Sequence, residues 1–129
     1  MNLEYREGLL FSNITITHCG KTIQFQNVVI DTGAAESILS IDVAPELFNA
    51  YEPEDQIRFM TGIGGREAAV RRRIHEVEFH SFQGVHFPID FGRIGDDNRI
   101  DGLIGLDILI PGRFIIDLNR LEIYTAMND

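Results

Sequence analysis

Hydrophobic and polar positions alternate along much of this chain. Ile14 and Ile16 alternate with Thr15 and Thr17, and Ile23 and Phe25 with Gln24 and Gln26, with Cys19-Gly20-Lys21 between the two runs. A period of two sends successive side chains to opposite faces of a strand, so the pattern predicts a hairpin with one buried face. It leads into Val28-Val29-Ile30, a continuous apolar run that reads as a buried strand. Residues 74 to 91 read again as strand, turn and strand, with Val77 and Phe79 on one face of the first and Phe87, Ile89 and Phe91 on the second. Phe114 to Leu118 and Leu121 to Tyr124 predict a last hairpin around Asn119-Arg120.

Helical signals are few. Ser40 to Phe48 offers Ser or Asp as a cap and an early proline, which predicts one short helix. Gly105 to Ile110 predicts another, stopped by Pro111-Gly112. The chain is predominantly β, and a small closed barrel protects the edges of so many short strands. No repeat or low-complexity segment interrupts it, so residues 1–129 are expected to form a single domain.

With 129 residues, such a chain buries roughly two-thirds of its unfolded surface without disulfides or metals. Its 44% hydrophobic and 24% charged residues fit a globular protein. One cysteine, Cys19, allows no intrachain disulfide and fits a reducing compartment. The start, Met1 to Glu7, lacks the basic and apolar segments of a signal peptide, and no apolar stretch reaches membrane-spanning length, so a cytoplasmic protein with no membrane partner is expected. Asn13-Ile14-Thr15 matches a glycosylation sequon and reads as strand.

A formal net charge of −9 argues against nucleic acid as a partner, since no broad basic face is present to neutralise phosphates. Arg71-Arg72-Arg73 is the one basic cluster, and it reads as a solvated strand edge opposite Glu76 and Glu78. Asp90-Phe91-Gly92 reads as a strand end and Gly20-Lys21-Thr22 as a hairpin turn, each lacking the residues that a magnesium or phosphate motif needs around it. His18, Cys19, His75, His80 and His86 do not match metal-ligand spacings, so no metal and no cofactor are expected.

Three segments carry chemistry. Asp31-Thr32-Gly33-Ala34 follows the buried run directly, which holds a carboxylate at the floor of a cleft with a glycine for the tight turn. Thr61-Gly62-Ile63-Gly64-Gly65, approached by Ile57 to Met60, suits the tip of a hairpin. Leu103-Ile104-Gly105 is an apolar pair ending in a glycine where another backbone must pass close by. In this order, from about Ile14 to Leu109, they resemble the retropepsin-like aspartic proteases, the family of the retroviral proteases and their cellular and bacterial relatives.

That resemblance implies an all-β closed acid-protease barrel and an aspartic endopeptidase. Catalysis of this kind uses two carboxylates, and this chain has one Asp-Thr-Gly. Asp90-Phe91-Gly92 and Asp101-Gly102 lack the hydroxyl residue between Asp and Gly. The expected species is therefore a homodimer with one Asp31 from each subunit on the two-fold axis. Two carboxylates within about 3 Å would share one proton, one acting as base on a water and the other as acid toward the substrate carbonyl. The resemblance implies that Thr32 buttresses the pair across the axis and that Gly33 presents backbone to a protein or peptide substrate. It also implies that Ala34, Ile38, Met60, Gly62, Ile63, Gly64, Gly65 and Leu103 line the substrate site. The apolar side chains among them predict hydrophobic residues beside the cleaved bond.

Two positions depart from the viral pattern. An Asp after Asp-Thr-Gly-Ala and an Arg after the third glycine pair there; here they are Ala35 and Leu106, and Asp107 follows as in cellular and bacterial relatives. The alternative from another class is a peptide-binding or scaffolding module that keeps the cleft and cleaves poorly. Such a module has no need of the aspartate, so retention of Asp31-Thr32-Gly33 favours the enzyme.

Overall fold

The computed structural model describes residues 1–62, 65–94 and 99–127, the backbone alone being described for 60–62 and 65–67. Ten strands are described: β1 (Glu4–Arg6), β2 (Leu9–His18), β3 (Lys21–Ile30), β4 (Ile38–Ser40), β5 (Gln56–Gly62), β6 (Gly65–Phe79), β7 (Phe82–Gly92), β8 (Gly102–Ile104), β9 (Phe114–Asp117) and β10 (Glu122–Thr125). A 3-10 turn spans Pro45–Phe48, and a four-residue helix, α1, spans Leu106–Leu109.

The large sheet runs β1-β2-β3-β8-β4-β7-β6-β5, and β2 also pairs with β6. That extra pairing closes the six strands from β2 to β6 into a barrel, the expected all-β architecture. Closure gives every barrel strand a neighbour on both sides, leaving β1 and β5 outside as flanking strands. The alternation read from the sequence sets which side chains turn inward, the inward parity of β6 switching between Ile74 and Val77. Ile14 and Ile16 of β2, Phe25 of β3, Ile74, Val77 and Phe79 of β6 and Ile89 and Phe91 of β7 are all essentially inaccessible. Each such side chain contributes about 1.5–3 kcal/mol by leaving water. The register shifts between Ser12 and Ile14, where Gln26 and Asn27 of β3 oppose Asn13 alone, so the bulge lies on β3.

Two expectations change. The helix predicted from Ser40 is the 3-10 turn alone, because Ser40 still belongs to β4 and the chain then bends through Val43 N–H to Ser40 O (3.3 Å) and Ala44 N–H to Ile41 O (3.3 Å). The arginine run is no solvated edge. β6 lies between strands, and Arg72 shares the inward parity of Val70 and Ile74, with 1% of its surface exposed. Its Nε and Nη2 donate to the Asp55 carboxylate at 2.9 and 2.6 Å, Nη2 also to Ala50 O (2.9 Å) and Nη1 to Leu47 O. The planar guanidinium thus satisfies carbonyls at and beyond the end of the 3-10 turn while its charge is matched by Asp55. That partner holds the Asp55 carboxyl below its ordinary range, chiefly through the hydrogen bond from Arg72.

β9 and β10 form a separate antiparallel pair. The chain start runs along the far side of β10: Leu3 N–H donates to Leu121 O (2.7 Å), Ile123 N–H to Met1 O (2.9 Å) and the Met1 nitrogen to Ile123 O (3.1 Å). Ile123 is fully buried beneath this small sheet.

Candidate active site

Asp31 lies one residue beyond β3, and its N–H donates to Ile104 O of β8 at 2.9 Å. β3 and β8 are parallel with Val29 beside Leu103, and β8 runs antiparallel to β4 with Leu103 beside Ile38. The carboxylate therefore emerges at the end of β3, beside the paired strands β8 and β4. The chain turns at once: Gly33 N–H donates to Asp31 Oδ1 (2.9 Å) and Ala34 N–H to Asp31 O (3.2 Å). Asp31 and Ala34 are half-buried, while Thr32, Gly33 and Ala35 are exposed.

The third glycine segment supports this turn from behind. Leu106 N–H donates to Ala34 O (2.8 Å) and Asp107 N–H to Ala35 O (3.2 Å). A Cβ on Gly105 would stand 2.6 Å from Ala34 O and 2.9 Å from the carbonyl carbon of Glu36, so only glycine lets the two segments meet. Where the viral pattern has an ion pair, Asp107 instead accepts from Ser37 N–H (2.9 Å) and Ser37 Oγ–H (2.6 Å), and Ser37 Oγ accepts from Gly105 N–H (2.9 Å). Ser37 is 1% exposed, and this bonded loop replaces a charge pair with a satisfied polar link.

Of the residues singled out from sequence, the structure brings Asp31, Thr32, Gly33 and Ala34 into one turn and sets Ile38 beside Leu103. Gly62 and Gly65 pair at the far end of the β5-β6 hairpin. Only the backbone of Met60 is described, and Ile63 and Gly64 lie outside the described residues. The two other Asp-Gly segments are committed elsewhere. Asp90 is buried and accepts from Arg71 Nε at 2.7 Å, and Asp101 accepts from Asn27 N–H and Nδ2 at 3.2 Å each.

Sequence reading missed the Ser37–Asp107 link and an ion network beside it. Glu36 accepts from Arg58 Nη2 of β5 (3.2 Å) and from Arg71 Nη2 of β6, and Arg71 also holds Asp90. The Asp90 hydrogen bond, above all, raises the Arg71 guanidinium above its ordinary range. The network ties the hairpin strands to the segment following Asp31. No local pattern announces it, because its members are brought together only by strand pairing.

One cluster could be read as a metal centre. His18, Cys19 and His75 bring one donor atom each within 4.8 Å of one another. The lone pairs are already engaged: His18 Nδ1 accepts His75 N–H (3.1 Å), His75 Nδ1 accepts Cys19 N–H (3.2 Å), and His18 Nε2 faces Glu52 at 2.8 Å. A neutral imidazole that accepts at Nδ1 carries its proton at Nε2, so these rings fasten the β2-β3 turn to β6.

Comparison with known proteins agrees with this arrangement. The profile of a family described as aspartyl protease matches residues 14–108. A solved structure, a retropepsin-like aspartic protease from Rickettsia conorii, superposes with a TM-score of 0.58 at 20% identity, covering 90% of this chain and 82% of that one. At that identity the likeness establishes the fold. No curated protein matches the sequence.

Proposed function

Because the chain belongs to the aspartyl protease family, in its retropepsin-like form, we propose that it is an aspartic endopeptidase whose working unit is a homodimer, with Asp31 of each copy forming the catalytic pair. The observation that carries this reading is the single supported Asp-Thr-Gly turn. Asp31 is held by Ile104 and Gly33, while the other Asp-Gly segments spend their carboxylates on Arg71 and Asn27. A second carboxylate is then supplied by a second copy.

In that pair one carboxylate takes a proton from a water, whose oxygen adds to the substrate carbonyl carbon, and the other carboxylic acid protonates the carbonyl oxygen. The tetrahedral intermediate collapses with cleavage of the C–N bond, and the proton taken from water passes to the leaving amine. Thr32 buttresses the pair across the axis, and Gly33 and Ala34 meet the substrate main chain. The peptide lies extended between this floor and the β5-β6 hairpin, whose end carries Gly62, Ile63, Gly64 and Gly65. Ile38, Met60 and Leu103 favour apolar residues at the cleaved bond.

The deciding experiment is digestion of a peptide library, with and without an aspartic-protease inhibitor, on protein fractionated by gel filtration. Inhibitor-sensitive cleavage confined to the dimer fraction is expected. Peptide binding without cleavage in any fraction would favour a scaffolding module instead.

A further inference from the structure

We infer that His80 is an acid-sensitive latch: its neutral ring holds the small sheet of chain start, β10 and β9 against the barrel, and protonation releases it. This latch is separate from the Asp31 chemistry. His80 and Ser81 form the two-residue turn between β6 and β7, where Phe79 pairs with Phe82. His80 has φ +51°, in the left-handed region that favours glycine or asparagine, so the backbone alone would not select a histidine there. The contacts of its ring give a reason. Nε2 lies 2.8 Å from Ser12 Oγ of β2, and the ring centroid stands 4.3 Å from that of Phe79 on β6 and 6.1 Å from that of Phe114 on β9. Phe79 and Phe114 also meet edge to face at 5.3 Å, and Ser81 Oγ bonds Thr125 Oγ1 of β10. One turn therefore joins β2 and β6 of the barrel to both strands of the small sheet.

This joint tolerates only the neutral ring. His80 Nδ1 is buried with no hydrogen-bond partner, whichever nitrogen carries the single proton. A second proton would put an N–H on both nitrogens and a positive charge beside two phenyl rings, with nothing to accept from Nδ1. Among the described residues no carboxylate bonds the ring. The charged groups on the elements around it are Glu78 of β6, Arg113 before β9, Asp117 at its end, Glu122 of β10, Glu4 of β1, held by Arg6 at 3.1 Å, and the Met1 amine; the near ends of β2 and β7 carry none. Of these the amine acts on the ring, as a like charge. Burial first, and that amine second, hold the His80 pKa below its ordinary 6.5. Released into water the ring returns to its ordinary value, so acid favours the released form. Docking is complete above pH 6.5 and weakens as pH falls below it.

A sheet this small is marginal once it leaves the barrel, so release is read as lost amide protection. The test is hydrogen exchange of the full chain at pH 7.5 and pH 5.0, corrected for the intrinsic pH dependence of exchange. Leu3, Ile123 and Ala126, whose N–H groups bond within the small sheet, should lose protection several-fold at pH 5.0. The ceiling is about thirtyfold, which linkage sets for a group that titrates at 6.5 when released. Amides of β2 and β6 in the barrel should keep their protection. His80→Asn, which suits the left-handed turn and takes up no proton, and His80→Phe, which keeps an aromatic ring, should each lose the pH dependence, whereas His75→Asn should keep it. An NMR titration of the His80 ring in wild type, which needs no variant, should show a midpoint below 6.5. Equal protection at both pH values, a loss shared equally by the barrel strands, a pH dependence that survives both His80 variants, or a ring that titrates at or above 6.5 would each overturn the latch. None of these readouts involves cleavage, so the protease reading stands or falls apart from them.

Discussion

Asp107 holds Ser37 by both carboxylate oxygens, one on the backbone N–H at 2.9 Å and one on the hydroxyl at 2.6 Å. Through Ser37 Oγ the contact continues to Gly105 N–H, so one side chain locks both segments that shape the Asp31 turn. Asp107→Ala leaves two buried donors unsatisfied and is expected to cost about 1–3 kcal/mol in urea unfolding. Asp107 acts as a positioning residue, so kcat should fall about tenfold with KM little changed. Asp107→Asn keeps one acceptor and should recover part of both losses, whereas a purely structural role would leave kcat per folded dimer unmoved.

Asp31→Asn should abolish hydrolysis with the fold intact. The amide Oδ1 still accepts Gly33 N–H, so the turn has no reason to open. An amide cannot act as base, and a fall in turnover beyond about a hundredfold is expected. Circular dichroism and sedimentation of the variant should match wild type; appreciable residual cleavage would rule out the carboxylate pair.

Activity should depend on concentration. On the homodimer reading each chain supplies half a site, so specific activity should fall as protein is diluted through the dimer dissociation constant, and a stable interface is expected to bury more than about 1,000 Å². Parallel sedimentation and initial-rate series should trace the same midpoint. A monomer with full activity contradicts the reading.

Stability should fall in acid in a way traceable to Asp55. Its folded-state carboxyl titrates below the ordinary 3.8 because Arg72 hydrogen-bonds the charged form. A depressed carboxyl contributes stability that is complete above the unfolded value and is lost as pH falls through the folded one. Urea midpoints measured from pH 6 down to pH 2 should therefore drop more steeply below pH 4 for wild type than for Asp55→Asn. Arg72→Met, which strands Asp55 among buried groups, should be the more damaging single change at pH 7, by about 3–5 kcal/mol.

Much of this was legible in the sequence wherever the signal was local. The alternation through Ile14, Ile16, Ile23 and Phe25 gave β2 and β3, the run ending at Ile30 located the floor under Asp31, and Gly105 marked a close backbone approach that the structure supplies at Ala34. Arg72 was misread because charge was weighed before parity: Val70, Arg72 and Ile74 share a face, and two of the three are apolar. The helix expected from Ser40 failed because β4 holds Ser40 through pairing with Gly92 of β7, a contact far outside any local window. Glu36 meeting Arg58 and Arg71, and Met1 lying along β10, are equally non-local, and no window of the sequence contains both partners.

The bond from Met1 to Ile123 spans 122 positions. Closing a loop of that length has a larger entropic cost than closing a hairpin, so this pairing gains little until the rest of the fold brings its two partners together. Contacts of such long sequence separation form late in folding. The edge of β10 toward Met1 is therefore expected to be completed after local hairpins such as β2-β3. Its amides should correspondingly exchange ahead of those in the closed barrel strands β2 and β6.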